Sequence, residues 1–396
     1  MSGPGSYWLG EEEEKEVMDV LSSGHLSRYG DLKDPRFKKK VHSLEQEFAS
    51  FTGVNHGLAV SSGTGALWIS MLSMGIAPGD EVIVPAYTFV ATYSAAFFIG
   101  ATPVLAEIDE SLTLDPADIE KRITKKTRAI VPVHMLGNPS KMDEIMAIAK
   151  KHKLMVLEDC AQASGAVYKG KKVGSMGAMG GFSFNIYKTI TAGDGGLIVT
   201  NDAELYKRAF ALHDQGHLPN RAGVEIGNRT ILGMNFRMNE LTGAVALAQL
   251  RKLDRITSTL RSKKAKLKAM LKGLPGVGFR ELNDEKGEAG TLLTILFESP
   301  QLAARVAKAI SSKTIDQSGW HVYANMEHVI KELERHGRKV RKGSFPRTDD
   351  ILSRALNISI GVVDAGLGSG FGININSTDS EIEQVGQKLR KAIQSA

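Results

Sequence analysis

Between about residues 56 and 201, short apolar runs alternate with segments of helical period. The runs at 57–60, 81–84, 102–107, 128–133, 154–159, 180–184 and 195–200 are rich in Val and Ile, and several lack polar alternation. That pattern is expected of strands buried on both faces. Between them the spacing predicts helices at 64–74, 91–98, 116–122 and 141–152. The succession predicts an α/β fold, a mainly parallel central sheet flanked by helices. After that the character changes. Residues 239–274 read as one long basic helix with an apolar stripe through Leu247, Leu250, Leu253 and Leu260. It leads into a smaller α+β region from about residue 277. We therefore expect an N-terminal segment and large domain over 1–250, then a connecting helix and small C-terminal domain over 251–396. The acidic run at 11–14 is expected to open an N-terminal helix, where negative charge suits the helix dipole. The basic stretch at 332–343 reads as a loop.

Composition narrows the class. With 42% hydrophobic and 24% charged residues, the chain has the material of a soluble globular protein with a true core. Lys plus Arg number 50 against 44 acids, a formal charge of +6. So modest an excess suits an anionic small ligand at least as well as nucleic acid. The single cysteine, Cys160, excludes an internal disulfide and any multi-cysteine metal or iron–sulfur site. No basic-then-apolar leader pattern opens the chain, and the apolar stretch at 92–106 is broken by Gly100 and Pro103. No membrane association and a cytoplasmic location are the expectations.

Three segments carry candidate chemistry. SSGTGAL (61–67) follows a strand and opens a helix. Gly63 permits close backbone approach, Thr64 offers a hydroxyl, and the helix N-terminus attracts an anion. This is a phosphate cup, or a capped tight turn. In LMVLEDCAQASGA (154–166), Asp159 ends a buried strand, where open α/β sheets place ligands. Its carboxylate could hold a protonated pyridine nitrogen, and Gln162 could bond a neighbouring phenolic oxygen; capping the next turn is the plainer role. In FSFNIYKTITAGDGGLIVTND (182–202), Lys188 lies between two strands. A lysine there is costly to bury unless it is used, for instance by condensing with an aldehyde. An exposed hairpin is the alternative. Ser183 could add a phosphate contact.

The order of phosphate turn, strand-end acid and lysine, with 29 residues from Asp159 to Lys188, is more specific than its parts. The chain resembles fold-type I pyridoxal-phosphate (PLP) enzymes. Within them it is similar to the DegT/DnrJ/EryC1/StrS sugar aminotransferases. The motifs that carry the likeness are SSGTGAL, GDEVIVPAYTFVAT (79–92), EDCAQASGA, SFNIYKTITAGDGG and GMNFRMNELTGAVALAQL (233–250). The resemblance implies pyridoxal 5'-phosphate as cofactor and Lys188 as the Schiff-base lysine. Asp159 would partner the pyridine nitrogen, Gln162 the phenolic oxygen and Phe89 the ring face. Gly63, Thr64 and Ser183 would hold the phosphate. Asn235 would reach it from the neighbouring subunit of a homodimer with shared active sites. Arg237 could meet a donor carboxylate or make a structural ion pair. The family usually has Glu where this chain has Asp194. A lysine rather than a histidine at 188, with no cluster ligands, favours transamination over the dehydratase and reductive variants.

The acceptor rests on the C-terminal part. WHVYANMEHV (320–329) and SIGVVDAGLGSGFGININSTD (359–379) are similar to the branch that makes 8-amino-3,8-dideoxy-manno-octulosonate for lipopolysaccharide sugars. That implies an 8-oxo octulosonic acid as acceptor, while the family resemblance implies glutamate or glutamine as donor, glutamate first. His321, Tyr323 and His328 are candidates for its carboxylate, or packing residues. A nucleotide-linked keto-hexose is the second expectation, and a non-catalytic PLP-binding regulator the third. No spare helix-turn-helix segment supports the regulator, and no nucleic-acid partner is expected. No metal is expected either, since His213 and His217 lack a third ligand at suitable spacing.

Overall fold

The computed structural model describes residues 2–219 and 229–396. In chain order, α1 (Glu11–Ser23) and α2 (Lys40–Thr52) precede the first strand. There follow β1 (His56–Val60), α3 (Gly63–Ser73), β2 (Glu81–Pro85), α4 (Val90–Phe97), β3 (Thr102–Ala106), α5 (Pro116–Arg122), β4 (Thr127–Ile130), α6 (Met142–His152) and β5 (Met155–Asp159). A short hairpin, β6 (Val167–Tyr168) and β7 (Lys171–Lys172), leads to β8 (Met179–Ser183), β9 (Gly196–Thr200) and α7 (Ala203–His213). The main sheet has seven strands in the order β1-β9-β8-β5-β4-β2-β3. Only β9 runs against its neighbours. The α/β expectation therefore holds, as a mixed sheet with one reversed strand. Residues of β2, β3, β8 and β9 are buried throughout, which is why their sequences show apolar runs instead of alternation.

The long helix α8 (Glu240–Leu271) is capped by Asn239, whose side chain accepts from Thr242 N–H. Its buried stripe includes Leu247, Leu250, Leu253 and Leu260. Beyond it, β10 (Val277–Phe279), β11 (Leu292–Phe297) and β12 (Ala355–Ser359) form an antiparallel sheet. Around it lie α9 (Pro300–Ala309), α10 (Glu327–Arg335), α11 (Pro346–Ser353) and α12 (Asp379–Gln394). No helix among the described residues is long and apolar enough to cross a membrane.

Two expectations shift. The run at 128–133 is regular strand only to Ile130; Pro132 has no N–H to give a neighbouring strand, though its carbonyl accepts from Asp159 N–H and Val133 still bridges Asp159. The stretch at 332–343 begins as helix, not loop. Val329 and Leu333 are buried on the inner side of α10, and Gly337, at φ 75°, turns the chain just beyond the helix.

The end of β5 fixes the sheet to the loop before β8. Successive strand residues point to opposite faces, and here both are acids. Glu158 is wholly buried. Its Oε1 accepts from Met176 and Gly177 N–H at 2.7 and 2.6 Å, and its Oε2 accepts from Gly174 N–H and His134 Nε2–H at 2.8 and 3.0 Å. His134 Nδ1 accepts from Ser140 N–H, so the ring is the neutral Nε2–H tautomer. Glu158, His134 and Cys160 lie close enough to suggest a metal site. Glu158 and His134 are already saturated, so the group is a brace. The glycine-rich stretch at 174–181 supplies the N–H groups of this brace. We expect Glu158→Ala to lower stability by about 3–5 kcal/mol, since it strands buried donors around a lost charge. Urea unfolding should show it; a loss below about 1 kcal/mol would contradict the brace.

Candidate active site

The opposite face of β5 opens on a cavity of about 610 Å³. Its walls come from the carboxyl ends of the parallel strands, where ligands sit in open α/β sheets, and from two C-terminal segments. Asp159 is buried in its wall. Oδ1 accepts from Ala161 N–H at 3.1 Å, and Oδ2 accepts from Thr92 Oγ1 at 2.9 Å. Thr92 in turn pairs with Thr88 Oγ1 at 2.8 Å. Burial pushes the Asp159 carboxyl above its ordinary value, while the Ala161 N–H, the Thr92 hydroxyl and the charge of Lys188 oppose the shift.

Lys188 lies in the turn between β8 and β9 and lines the same cavity. It retains some accessible surface because the cavity is open, yet its amine is enclosed by protein. Among the described residues that amine makes no hydrogen bond and no ion pair. Its Nζ stands 5.7 Å from the centre of the Phe89 ring. Burial draws the amine below its ordinary value; Asp159, then Asp364, pull the other way.

The N-terminus of α3 forms the floor. Gly63 and Thr64 occupy its first turn, whose N–H groups have no partner within the helix. Close packing demands glycine here: a Cβ on Gly63 would lie 2.6 Å from the Ser183 Cβ. Gln162 is held at both ends. Its Oε1 accepts from Leu136 N–H at 3.0 Å, and its Nε2 reaches His321 Nε2 at 3.4 Å. Leu136 takes a left-handed φ of 54° to present that N–H, a strain that the surrounding bonds must hold. Its carbonyl accepts from the buried Arg280 Nη2 at 2.7 Å. His321 Nδ1 lies 3.1 Å from Ser318 Oγ, so the neutral imidazole donates there and accepts from Gln162. Burial, and then the charge of Lys188, lower its pKa to about 3.

Eight of the twelve residues singled out in the sequence therefore line one cavity: Gly63, Thr64, Phe89, Asp159, Gln162, Ser183, Lys188 and His321. The other four do not. Tyr323 is buried elsewhere, edge-on to Phe345 with its hydroxyl on Asp349 Oδ2 at 3.0 Å. His328 is exposed on α10, whose inner side is taken by Val329 and Leu333. Arg237 is paired with Asp214, the structural alternative. Asn235 is exposed outside the cavity, its Oδ1 accepting from Arg237 N–H. Thr92, Leu136, Trp320 and Asp364 were missed. Thr92 lies inside the quoted PAYTFVAT motif, where its place in the first turn of α4 could have marked it. Trp320 and Asp364 lie inside the two C-terminal segments quoted for the acceptor, where nothing singled them out from their neighbours, and Leu136 carries no local signal.

A buried lysine, a strand-end carboxylate and a helix-terminus anion cup around one cavity, on a largely parallel sheet, define a fold-type I PLP-dependent transferase. The described donors suit such a cofactor: free N–H groups for a phosphate, an acid for a ring nitrogen, and an unpartnered amine for an aldehyde. The model of the DegT/DnrJ/EryC1/StrS aminotransferase family matches residues 8–363, and the chain belongs to that family. It is 45% identical over 239 residues to GDP-perosamine synthase of Caulobacter vibrioides, an alignment spanning 60% of this chain and 61% of that one. It is 33% identical over 352 residues to dTDP-3-amino-3,4,6-trideoxy-alpha-D-glucose transaminase of Streptomyces venezuelae, covering 88% and 87%. Its fold matches the crystal structure of S. venezuelae DesV with a TM-score of 0.80 and 30% identity, over 97% and 94% of the two chains.

The neutral His321 has a measurable consequence. Folded, it stays unprotonated to about pH 3, whereas its ordinary value is 6.5. Its contribution to stability is complete above that ordinary value and is lost as pH falls toward the folded one. We expect the stability difference between wild type and His321→Asn to narrow by about 1.4 kcal/mol per pH unit from about pH 6 to about pH 4. Denaturant titrations across that range test it; parallel curves would contradict a buried neutral ring.

Proposed function

We propose that this chain transfers an amino group from an amino acid, glutamate being the expected donor, to the carbonyl of a nucleotide-linked keto-hexose, using pyridoxal phosphate. The observation that carries the reading is the enclosed, unpartnered amine of Lys188 beside Asp159 in a cavity floored by a helix N-terminus. When bound, the cofactor supplies a carbonyl carbon that exchanges amines and a protonated ring that withdraws electrons from the reacting carbon. Gly63, Thr64 and Ser183 would hold its phosphate, Asp159 its ring nitrogen, and Phe89 its face. The second Nε2–H of Gln162 is left to donate to the ring oxygen. Lys188 would tether the group at rest, and its amine, once free, would carry the proton at the substrate carbon. The drop in its basicity on burial keeps more of it unprotonated for that work.

The choice of acceptor follows the relatives, which are named for nucleotide-linked sugars. The octulosonic acid expected from the C-terminal segments has less support. A homodimer with shared sites remains our reading for the assembly: Asn235 is exposed beside the exposed Leu232 and Met234, a surface suited to a second copy. We also place the boundary between large and small domains near residue 250. The first half of α8 bonds α1 and α2 through Gln249–Glu13 and Arg251–Glu47, and its second half bonds the small part through Lys264–Glu288 and Lys266–Asp379.

The test is product formation by the purified holoenzyme with glutamate and a panel of keto-sugars, read by mass spectrometry. Lys188→Ala should lower turnover by at least about a thousandfold, because tether and proton carrier vanish together. Full turnover by that variant would overturn the assignment. Keto acid release without any aminated sugar would overturn the acceptor class.

A further inference from the structure

The glycine-rich loop after β12 brings a further acid to the cavity, besides Asp159 and Asp194, and the cofactor contacts leave it unused. Asp364 lines the wall with Ala365, Gly366 and Leu367. Its position is fixed from several sides. Oδ1 accepts from Gly366 N–H at 2.7 Å. Its backbone N–H donates to the hydroxyl of buried Ser369 at 3.2 Å, and that hydroxyl donates to the Val362 carbonyl at 2.8 Å. Gly372, at φ 142°, brings the end of the loop against Ser359, where a Cβ would lie 2.3 Å from a carbonyl oxygen. No residue bonds Asp364 Oδ2 among the described ones, so it is free to accept from a ligand.

Beside it stands Trp320, 57% exposed although it lines the cavity. A Cβ on Gly366 would sit 3.6 Å from the Trp320 ring. Trp320 also stacks on Phe89, with 6.4 Å between centroids and 28° between planes. The chain segment that carries it is pinned to the cofactor wall: Thr88 and Val90 N–H donate to the carbonyls of His321 and Trp320. An apolar ring face next to a preorganised, open carboxylate oxygen matches a sugar ring, which offers a C–H face and hydroxyl donors.

We propose that Asp364 and Trp320 form the acceptor subsite, and that Asp364 selects a neutral hydroxylated sugar ring and rejects a sugar acid. Asp364 Oδ2 accepts from sugar hydroxyls, and Trp320 covers the ring face. A carboxylate on the acceptor would meet Asp364 with Lys188 as the sole described cation nearby, and like-charge contact is an effective way to exclude a competitor. The proposal rests on the aminotransferase reading and adds the chemical class of the acceptor to it.

The two half-reactions separate the claims. Asp364→Asn keeps Oδ1 for Gly366 N–H, removes the charge and replaces the open Oδ2 acceptor with an NH2 donor. In the holoenzyme, glutamate should bleach the visible cofactor band at a rate within about threefold of wild type. The acceptor half-reaction with a GDP- or dTDP-linked keto-hexose should fall at least about tenfold in kcat/KM, the scale of a lost hydrogen bond to a charged group. Turnover of the 8-oxo octulosonic acid should rise relative to the keto-hexose. Trp320→Ala should raise the keto-hexose KM with the donor step unchanged. Unchanged acceptor kinetics in Asp364→Asn would overturn the subsite, as would an equal loss in both half-reactions. Wild-type failure with every keto-sugar, while glutamate still bleaches the band, would sink the aminotransferase-to-sugar reading itself and the subsite with it.

Discussion

One enclosed amine sets the terms for the rest of this molecule. The Lys188 amine has neither ion pair nor hydrogen bond among the described residues, and water is largely displaced from it. A charge kept so destabilises the fold unless the site makes use of it. Two carboxylates, Asp159 and Asp364, partly offset that penalty from different walls. The surrounding architecture keeps all three groups apart yet within one cavity. Parallel strands deliver Asp159, the reversed β9 returns the chain past Lys188, and the small sheet swings Asp364 in from the far end of the sequence.

Rigidity around the cavity comes from buried polar groups that hold one another in place. Adjacent residues on β5 divide the work, since the pleat turns Glu158 toward a ring of N–H donors and Asp159 toward the ligand. The Leu136–Gln162–His321–Ser318 chain does the same for the other rim. Its imidazole stays neutral because it is buried next to the Lys188 charge, and a neutral ring can accept from Gln162 where an imidazolium could not. Such satisfied networks hold reactive groups in place better than apolar packing would.

Much of this was legible beforehand, and the reason is local. Doubly buried strands announce themselves as apolar runs, and the glycine, acid and lysine of the site each sit at a strand end or helix start. The fold class, the cavity floor and the Asp159–Lys188 pair follow from those signals. What stayed hidden depends on long-range placement. Asp364 and Trp320 face the cavity only because the small sheet folds back over the large one. Tyr323 and His328 sit beside His321 in sequence, yet one enters the core against Phe345 and the other faces solvent. Helical and loop geometry turned three neighbours in three directions, and no spacing rule foretells that. Pro132 was the opposite case: its missing N–H, visible in the sequence, interrupts the regular strand after Ile130.

The central claim is that this amine carries the cofactor. Borohydride reduction of the reconstituted protein, followed by proteolysis and peptide mass mapping, addresses it directly. The account predicts a single pyridoxyl adduct on the peptide containing Lys188. An adduct on another lysine, or none on material that has taken up a full equivalent of cofactor, would contradict it.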